Sequence, residues 1–199
     1  MSSIAFGTVQ KFEREIAKFA GSKYAVSVDS CCNALLLCCY YLRVTEVVLP
    51  SFTYPGVACA VINSGGVPKF REKKWTGVYQ LEPTKIYDSA LRFKPGMYEN
   101  GFYCLSFHAK KHLPIGRGGM ILTDDKEAVT WFKKARFDGR SEVPLNKDKI
   151  DMVGWNCYMT PEQAARGLTL FEVIKDKDLP DIDWRTQNYP DLSKIKAYE

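Results

Sequence analysis

Histidine is scarce in the 199 residues: only His108 and His112 occur, four apart in the stretch YCLSFHAKKHLPIGRGGMILTDD. No CxxC pair stands among the seven cysteines, so the spacing argues against a zinc site. No apolar run reaches the ~18 residues that a membrane span needs. The opening MSSIAFGTVQKFEREIAKFAG carries charge after Phe12 and has no signal-peptide core. The net charge of +5 is mild and the lysines are scattered, which speaks against nucleic acid as a partner. Repeats and low-complexity segments are also missing. The expectation is a cytoplasmic protein with no membrane contact. Seven cysteines, an odd count, suit a reducing compartment, with most of them acting as small buried apolar residues.

What is present reads as alternating strands and helices. TVQKFEREIAKFAG repeats Phe12, Ile16 and Phe19 at helical spacing and stops at Gly21. YAVSV is a strand, CCNALLLCCYYL an apolar helix, EVVLP a short buried strand and YPGVACAVINSG a helix ending at Gly65-Gly66. VPKF, KIYDS, FYCLSF and GGMILTDD are further strands, and KEAVTWFKKARFDG is a helix. TPEQAARGLTLFEVI is a helix with Thr160 as N-cap, Pro161 at N1 and Gln163 closing a capping box. The alternation predicts an α/β fold: a mostly parallel sheet with helices on both faces. The apolar character of YAVSV and EVVL on both sides fits a sheet covered on both faces. The polar end after Pro180 could be a helix, a docked arm or partly loose.

In such sheets ligands bind beyond the carboxyl ends of the strands. After YAVSV comes Asp29-Ser30-Cys31-Cys32-Asn33, either a phosphate cradle at a helix N-terminus or a plain cap by Ser30. After EVVLP stands Tyr54, either a stacking partner for a flat ligand or a rim tyrosine. After KIY stands Asp88, either a partner for a cation or a turn residue. The bend holds Ser106, Lys110 and Lys111, either a desolvated nucleophilic amine or a solvated basic turn. Each signal is weak alone. Together they match one ligand, pyridoxal phosphate, which needs a phosphate site, an aromatic cover, a carboxylate for its ring nitrogen and a lysine for its aldehyde.

The same stretches resemble the DegT/StrS family of PLP-dependent sugar aminotransferases of fold type I, from Phe12 to about Tyr189. Ser30-Cys31-Cys32-Asn33-Ala34-Leu35 stands where the family has Ser-Gly-Thr-x-Ala-Leu, and IYDSA where it has Glu-Asp-Ala-Ala. LSFHAKKHLPIGRGG resembles its Ser-Phe-x-x-x-Lys and Gly-x-Gly-Gly signature, the strongest signal in the chain. GWNCYMTPEQAARGL resembles its Gly-x-Asn helix start. The resemblance implies a three-layer PLP-transferase-like large domain, with Lys111 and Asp88 catalytic. Lys110 is not the match, because the family's lysine stands five after the serine. It further implies cofactor contacts from Ser30, Cys31, Cys32, Asn33, Tyr54, Asp88, Ser106, Lys111 and Asn156, the last serving the neighbouring subunit's phosphate. The implied assembly is a homodimer with shared active sites, and the glycines after Lys111 would let the backbone pass close to the cofactor.

The departures are specific. Cys31 and Cys32 replace the family's turn glycine and threonine, and Leu91 replaces a polar ring contact three after Asp88. The span from Lys69 to Tyr87 is too short for one strand-helix-strand unit of the family, so that unit reads as deleted. Residues 1–180 are read as a reduced large domain, and 181–199 as a tail left from the start of a missing small domain. The expected activity is transfer of an amino group from an amino acid such as glutamate to a keto-sugar nucleotide. The alternative is a reduced, non-catalytic relative that binds PLP or a nucleotide sugar, or a partner of a full-length enzyme.

Overall fold

The computed structural model describes residues 2–198; Met1 and Glu199, the outermost residues of the two expected segments, lie outside the described residues. The elements run α1 (Ser2–Ala20), β1 (Tyr24–Val28), α2 (Cys31–Tyr41), β2 (Glu46–Pro50), α3 (Pro55–Asn63), β3 (Val67–Arg71), β4 (Tyr79–Gln80), β5 (Ile86–Asp88), β6 (Phe102–Ser106), β7 (Gly119–Thr123), α4 (Lys126–Ala135) and α5 (Pro161–Ile174). Helix α1 begins before the expected Thr8, and Phe6 in this extra turn packs edge-on against Phe137. It ends where Gly21 takes a left-handed φ of 86°, a conformation that favours glycine. Helix α5 starts with the expected capping box: Thr160 accepts from the Gln163 amide and Gln163 accepts from the Thr160 amide.

Five strands pair in the order β1-β7-β6-β5-β4, and β2 pairs with β3. The bridge between Val48 of β2 and Glu82, just beyond β4, joins the two sheets edge to edge. Strands β1, β2, β3, β5 and β6 run the same way, the parallel character read from the sequence. The reversed strands β4 and β7 sit between or beside them, so the sheet is mixed. Its pairings are parallel at β2-β3 and β5-β6 and antiparallel at β1-β7, β6-β7 and β4-β5.

Alternate residues of the central strands feed two cores. Ala25, Tyr103, Leu105, Met120 and Leu122 pack under α1 and α5, with Phe12, Ile16 and Phe171. Val26, Val28, Cys104 and Ile121 point the other way, into α2, α3 and α4. This is the three-layer arrangement, and it explains why the strands are apolar on both faces. All seven cysteines are free; Cys31, Cys38, Cys39, Cys104 and Cys157 are buried, Cys32 is half-buried and Cys59 is exposed.

The tail beyond Pro180 is a docked arm of short 3-10 turns at 184–187, 192–194 and 196–198. The Ile182 amide donates to the Leu91 carbonyl, Trp184 stacks on Phe52, and the Leu192 amide donates to the Ser51 carbonyl. Leu192 itself is fully buried. Among the described residues no helix is long and apolar enough to cross a membrane.

Candidate active site

A cavity of about 440 Å³ opens at the carboxyl ends of β1, β5 and β6. Its first wall is the start of α2. Ser30 has the extended backbone of an N-cap, its Oγ accepts from the Asn33 amide at 3.2 Å, and the first intrahelical bond runs from the Ala34 amide to the Ser30 carbonyl. The amides of Cys31 and Cys32, ahead of that bond, have no intrahelical acceptor to reach and suit an anion. Ser30 thus acts as a cap and lines the cavity as well; the two readings of the sequence are not exclusive. Ser30 and Asn33 both donate to Asp29 Oδ1, and Asp29 is held by Arg117 at 2.7 Å.

The floor is Asp88, at the end of β5 and only 3% exposed. Its Oδ1 accepts from the Ala90 amide at 2.9 Å, and its Oδ2 accepts from the Tyr79 hydroxyl at 2.8 Å. The Cys31 thiol lies 4.0 Å from Oδ1. Burial raises the Asp88 pKa, opposed by the Ala90 amide, the Tyr79 hydroxyl and the charge of Lys111. Among the described residues this deep carboxylate is met by the Tyr79 hydroxyl and the Ala90 amide and makes no ion pair, so a cationic group in the cavity would complete it.

The opposite wall is the bend between β6 and β7. The Phe107 amide donates to the Gly118 carbonyl, and the Lys111 amide to the His108 carbonyl. Leu113 and Ile115 bury themselves in the core under α1 and α5, which anchors the loop. The bend carries nitrogen above an apolar base, and Lys110 and Lys111 both line the cavity. Lys110 is exposed and Lys111 half-buried. Burial lowers the Lys111 pKa, while the charge of Asp88 pulls it back up. Burial, and next Asp88, push the Cys32 thiol up to about 11, so it stands in the cavity as a neutral thiol.

The structure therefore brings Ser30, Cys31, Cys32, Tyr54, Asp88, Ser106 and Lys111 to one cavity. Asn33 lies outside the lining and serves the cap. Asn156 also lies outside; it is exposed, and its Nδ2 donates to Asp138 at 3.0 Å. Leu91 is fully buried and does not face the cavity; Ala90 does. Of the glycines of the bend, Gly118 lines the cavity. Gly119 packs against the backbone of Ser30 and Cys31, with room for no side chain.

Residues that the sequence reading did not single out also line the site. Gln187, Asn188, Tyr189 and Pro190 of the docked arm close one side, and Tyr189 meets Tyr54 edge-on at 6.5 Å. No periodicity marks that arm. Arg117 could have been suspected from its place in the Gly-Arg-Gly-Gly turn. The site combines a buried carboxylate, a desolvated amine, two free amides and an aromatic rim. Such a set fits a ligand that carries a ring cation, an aldehyde and a phosphate.

The model of the DegT/DnrJ/EryC1/StrS aminotransferase family matches residues 4–88 and 96–178. The chain is 24% identical over 223 residues to the spore coat polysaccharide biosynthesis protein SpsC of Bacillus subtilis, covering 84% of this chain and 57% of SpsC. It is 26% identical to the GDP-perosamine synthase of Escherichia coli O157:H7, covering 84% of this chain and 58% of that enzyme. A Streptococcus pneumoniae protein solved in its PLP-form shares the fold, with a TM-score of 0.70 at 17% identity over 83% of this chain and 59% of the other. The chain spans under three-fifths of the length of these relatives. The SpsC match is longer than the chain itself, so it crosses residues of SpsC with no counterpart here.

Proposed function

The chain belongs to the DegT/DnrJ/EryC1/StrS aminotransferase family, and from that premise we propose that it binds pyridoxal phosphate and moves an amino group from an amino acid, such as glutamate, to a keto-sugar nucleotide. The observation that carries this reading is the presence of Lys111 and Asp88 in one cavity beside the free amides of α2.

When bound, the cofactor supplies an aldehyde that joins amines and a ring that accepts electrons from a breaking bond. Lys111 is assigned to the aldehyde. Its lowered proton affinity keeps more of it as free amine, so Nζ can take the proton at the donor's Cα and return one at the acceptor carbon. Asp88 sets a negative charge against the ring nitrogen. Ser106 and the Cys31 and Cys32 amides bind phosphate, and Tyr54 covers the ring. The arm residues Gln187 to Pro190 narrow the access of water to the cavity. Asn156 is assigned to the site of a second copy in a homodimer, which suits its exposure away from its own cavity.

The test is the absorbance spectrum of the protein with PLP, followed by glutamate. A visible band that Lys111→Ala lacks, and release of about one 2-oxoglutarate per site, are the expected results. A wild-type protein without the band overturns the reading. The second reading, a binding relative or a partner of a full-length enzyme, is favoured by the capping duty of the Ser30 hydroxyl and by Cys32 in place of threonine. It would show the band without 2-oxoglutarate.

A further inference from the structure

Asp88 is not alone on the floor of the cavity. Strand β4, only two residues long, pairs with β5 in a register that sets Tyr79 directly opposite Asp88. The Tyr79 hydroxyl donates to Asp88 Oδ2 at 2.8 Å, and its oxygen lies 2.7 Å from Thr53 Oγ1. Since the Tyr79 proton is committed to the carboxylate, Thr53 must donate to Tyr79. The result is a one-way chain, Thr53 to Tyr79 to Asp88, and all three residues are at most 4% exposed. Chains of this kind strengthen each other in a dry site. Trp75 packs edge-on against the Tyr79 ring and holds it in place. None of the family motifs contains Tyr79, which lies in the stretch where the chain is short.

The problem this chain solves is a proton. A carboxyl buried this deeply tends to hold a proton rather than a charge. Opposite a protonated ring nitrogen, a carboxylate with high proton affinity would draw the ring's proton to itself and quench the ring's positive charge. Hydrogen bonds donated to a carboxylate favour its charged form. Accordingly, we propose that Tyr79, braced by Thr53, is a positioning residue that keeps Asp88 ionised and aimed, so that a proton on a ligand's ring nitrogen stays on the ligand. This rests on the reading of the ligand as pyridoxal phosphate. The other titratable groups that face Asp88 are Lys111 from the bend, Cys31 and Cys32 from α2, Cys104 from β6 and Tyr189 from the arm, and burial and the Asp88 charge keep the thiols and the phenol neutral. Of these only Lys111 offers a positive charge, and it is committed to the aldehyde once the ligand is bound.

Tyr79→Phe keeps the ring and removes only the hydroxyl. Two measurements test it. In the ligand-free protein, the 13C titration of the Asp88 carboxyl should move up by about one to two pH units in Tyr79→Phe, the size of a hydrogen bond to a charged group. With PLP labelled at its ring nitrogen, the 15N shift should report a protonated ring in the wild type and a substantially neutral ring in Tyr79→Phe. Thr53→Val should move both signals the same way but less, and it serves if Tyr79→Phe does not fold. Unchanged titration and unchanged 15N shift overturn the proposal, as does a downward titration shift. A wild type that binds no PLP defeats the function reading and, with it, the ligand half of this proposal. The carboxyl titration would still decide what Tyr79 does to Asp88, so the two failures are distinguishable.

Discussion

Gly119 of β7 lies against the turn that opens α2: a Cβ there would stand 2.4 Å from the carbonyl carbon of Ser30 and 2.5 Å from the amide nitrogen of Cys31. Real Cβ atoms do not approach backbone so closely, so Gly119→Ala must push the strand and the helix start apart. The cost should be roughly 1 to 3 kcal/mol, as for overpacking of a filled core. Gly118→Ala meets side chains rather than backbone, the flexible end of Met159 at 2.9 Å and Phe107 Cβ at 3.4 Å, and should cost less. Urea unfolding of both variants checks this. Equal losses would mean that the close approach at Gly119 carries no special weight.

The assignment of the lysine is tested by trapping. Treatment of the PLP-loaded protein with borohydride should fix the cofactor on Lys111, found by peptide mass. Lys110→Arg should retain the label and Lys111→Arg should lose it. Burial leaves more of Lys111 as free amine, while Lys110 is exposed. A label on Lys110 would reverse the assignment.

Leu192 pins the arm that walls the cavity. It is fully buried and its amide is tied to the Ser51 carbonyl. Leu192→Ala should lower stability by about 2 to 5 kcal/mol, the range for emptying a buried leucine site. Trypsin should then cut faster at the exposed Arg185. Unchanged cleavage would mean that the arm is held by its other anchors, such as the pair of Arg92 with Asp181.

Periodicity carried much of the fold. The strands before α2, α3 and α4 and the capping box of α5 were legible because each is a local pattern. Lys111 and Ser106 were legible because their spacing lies within one bend. Strand order was not, since pairing of β1 with β7 joins residues about a hundred apart and no local pattern encodes it. Strand β4 has two residues, too few for any alternation, so Tyr79 stayed invisible although it touches Asp88. The arm was equally silent: its 3-10 turns have no period, and what places Tyr189 at the cavity is the anchoring of Ile182 and Leu192 on either side.

Asp88 supplies a prediction that separates stability from function. Its carboxyl binds a proton more tightly in the fold than in the unfolded chain, because burial disfavours the charge. Such a group favours the fold at low pH and weighs on it as pH rises through the raised folded pKa. Above that folded pKa the ligand-free wild type carries an unfavourable buried charge. Asp88→Asn removes it at constant shape. The amide oxygen can still accept from the Ala90 amide, and its NH2 can donate to Tyr79, whose proton can turn to Thr53. Ligand-free Asp88→Asn should be more stable than wild type at pH 8, by on the order of 1 kcal/mol, a common gain from a site kept for function. The gap should close as pH falls through the folded pKa toward the ordinary carboxylate range. PLP should reverse the order at pH 8, because its ring cation completes Asp88 and leaves the variant with nothing to pair. The half-reaction with glutamate in excess PLP should slow more in Asp88→Asn than in Ser106→Ala, since Ser106 is assigned as one phosphate donor among several, beside the amides of α2. Urea curves at pH 8 and pH 5, with and without PLP, measure the first three effects. If Asp88→Asn is the less stable protein at pH 8 without PLP, the carboxylate is already satisfied inside the chain, and it is not waiting for a cation.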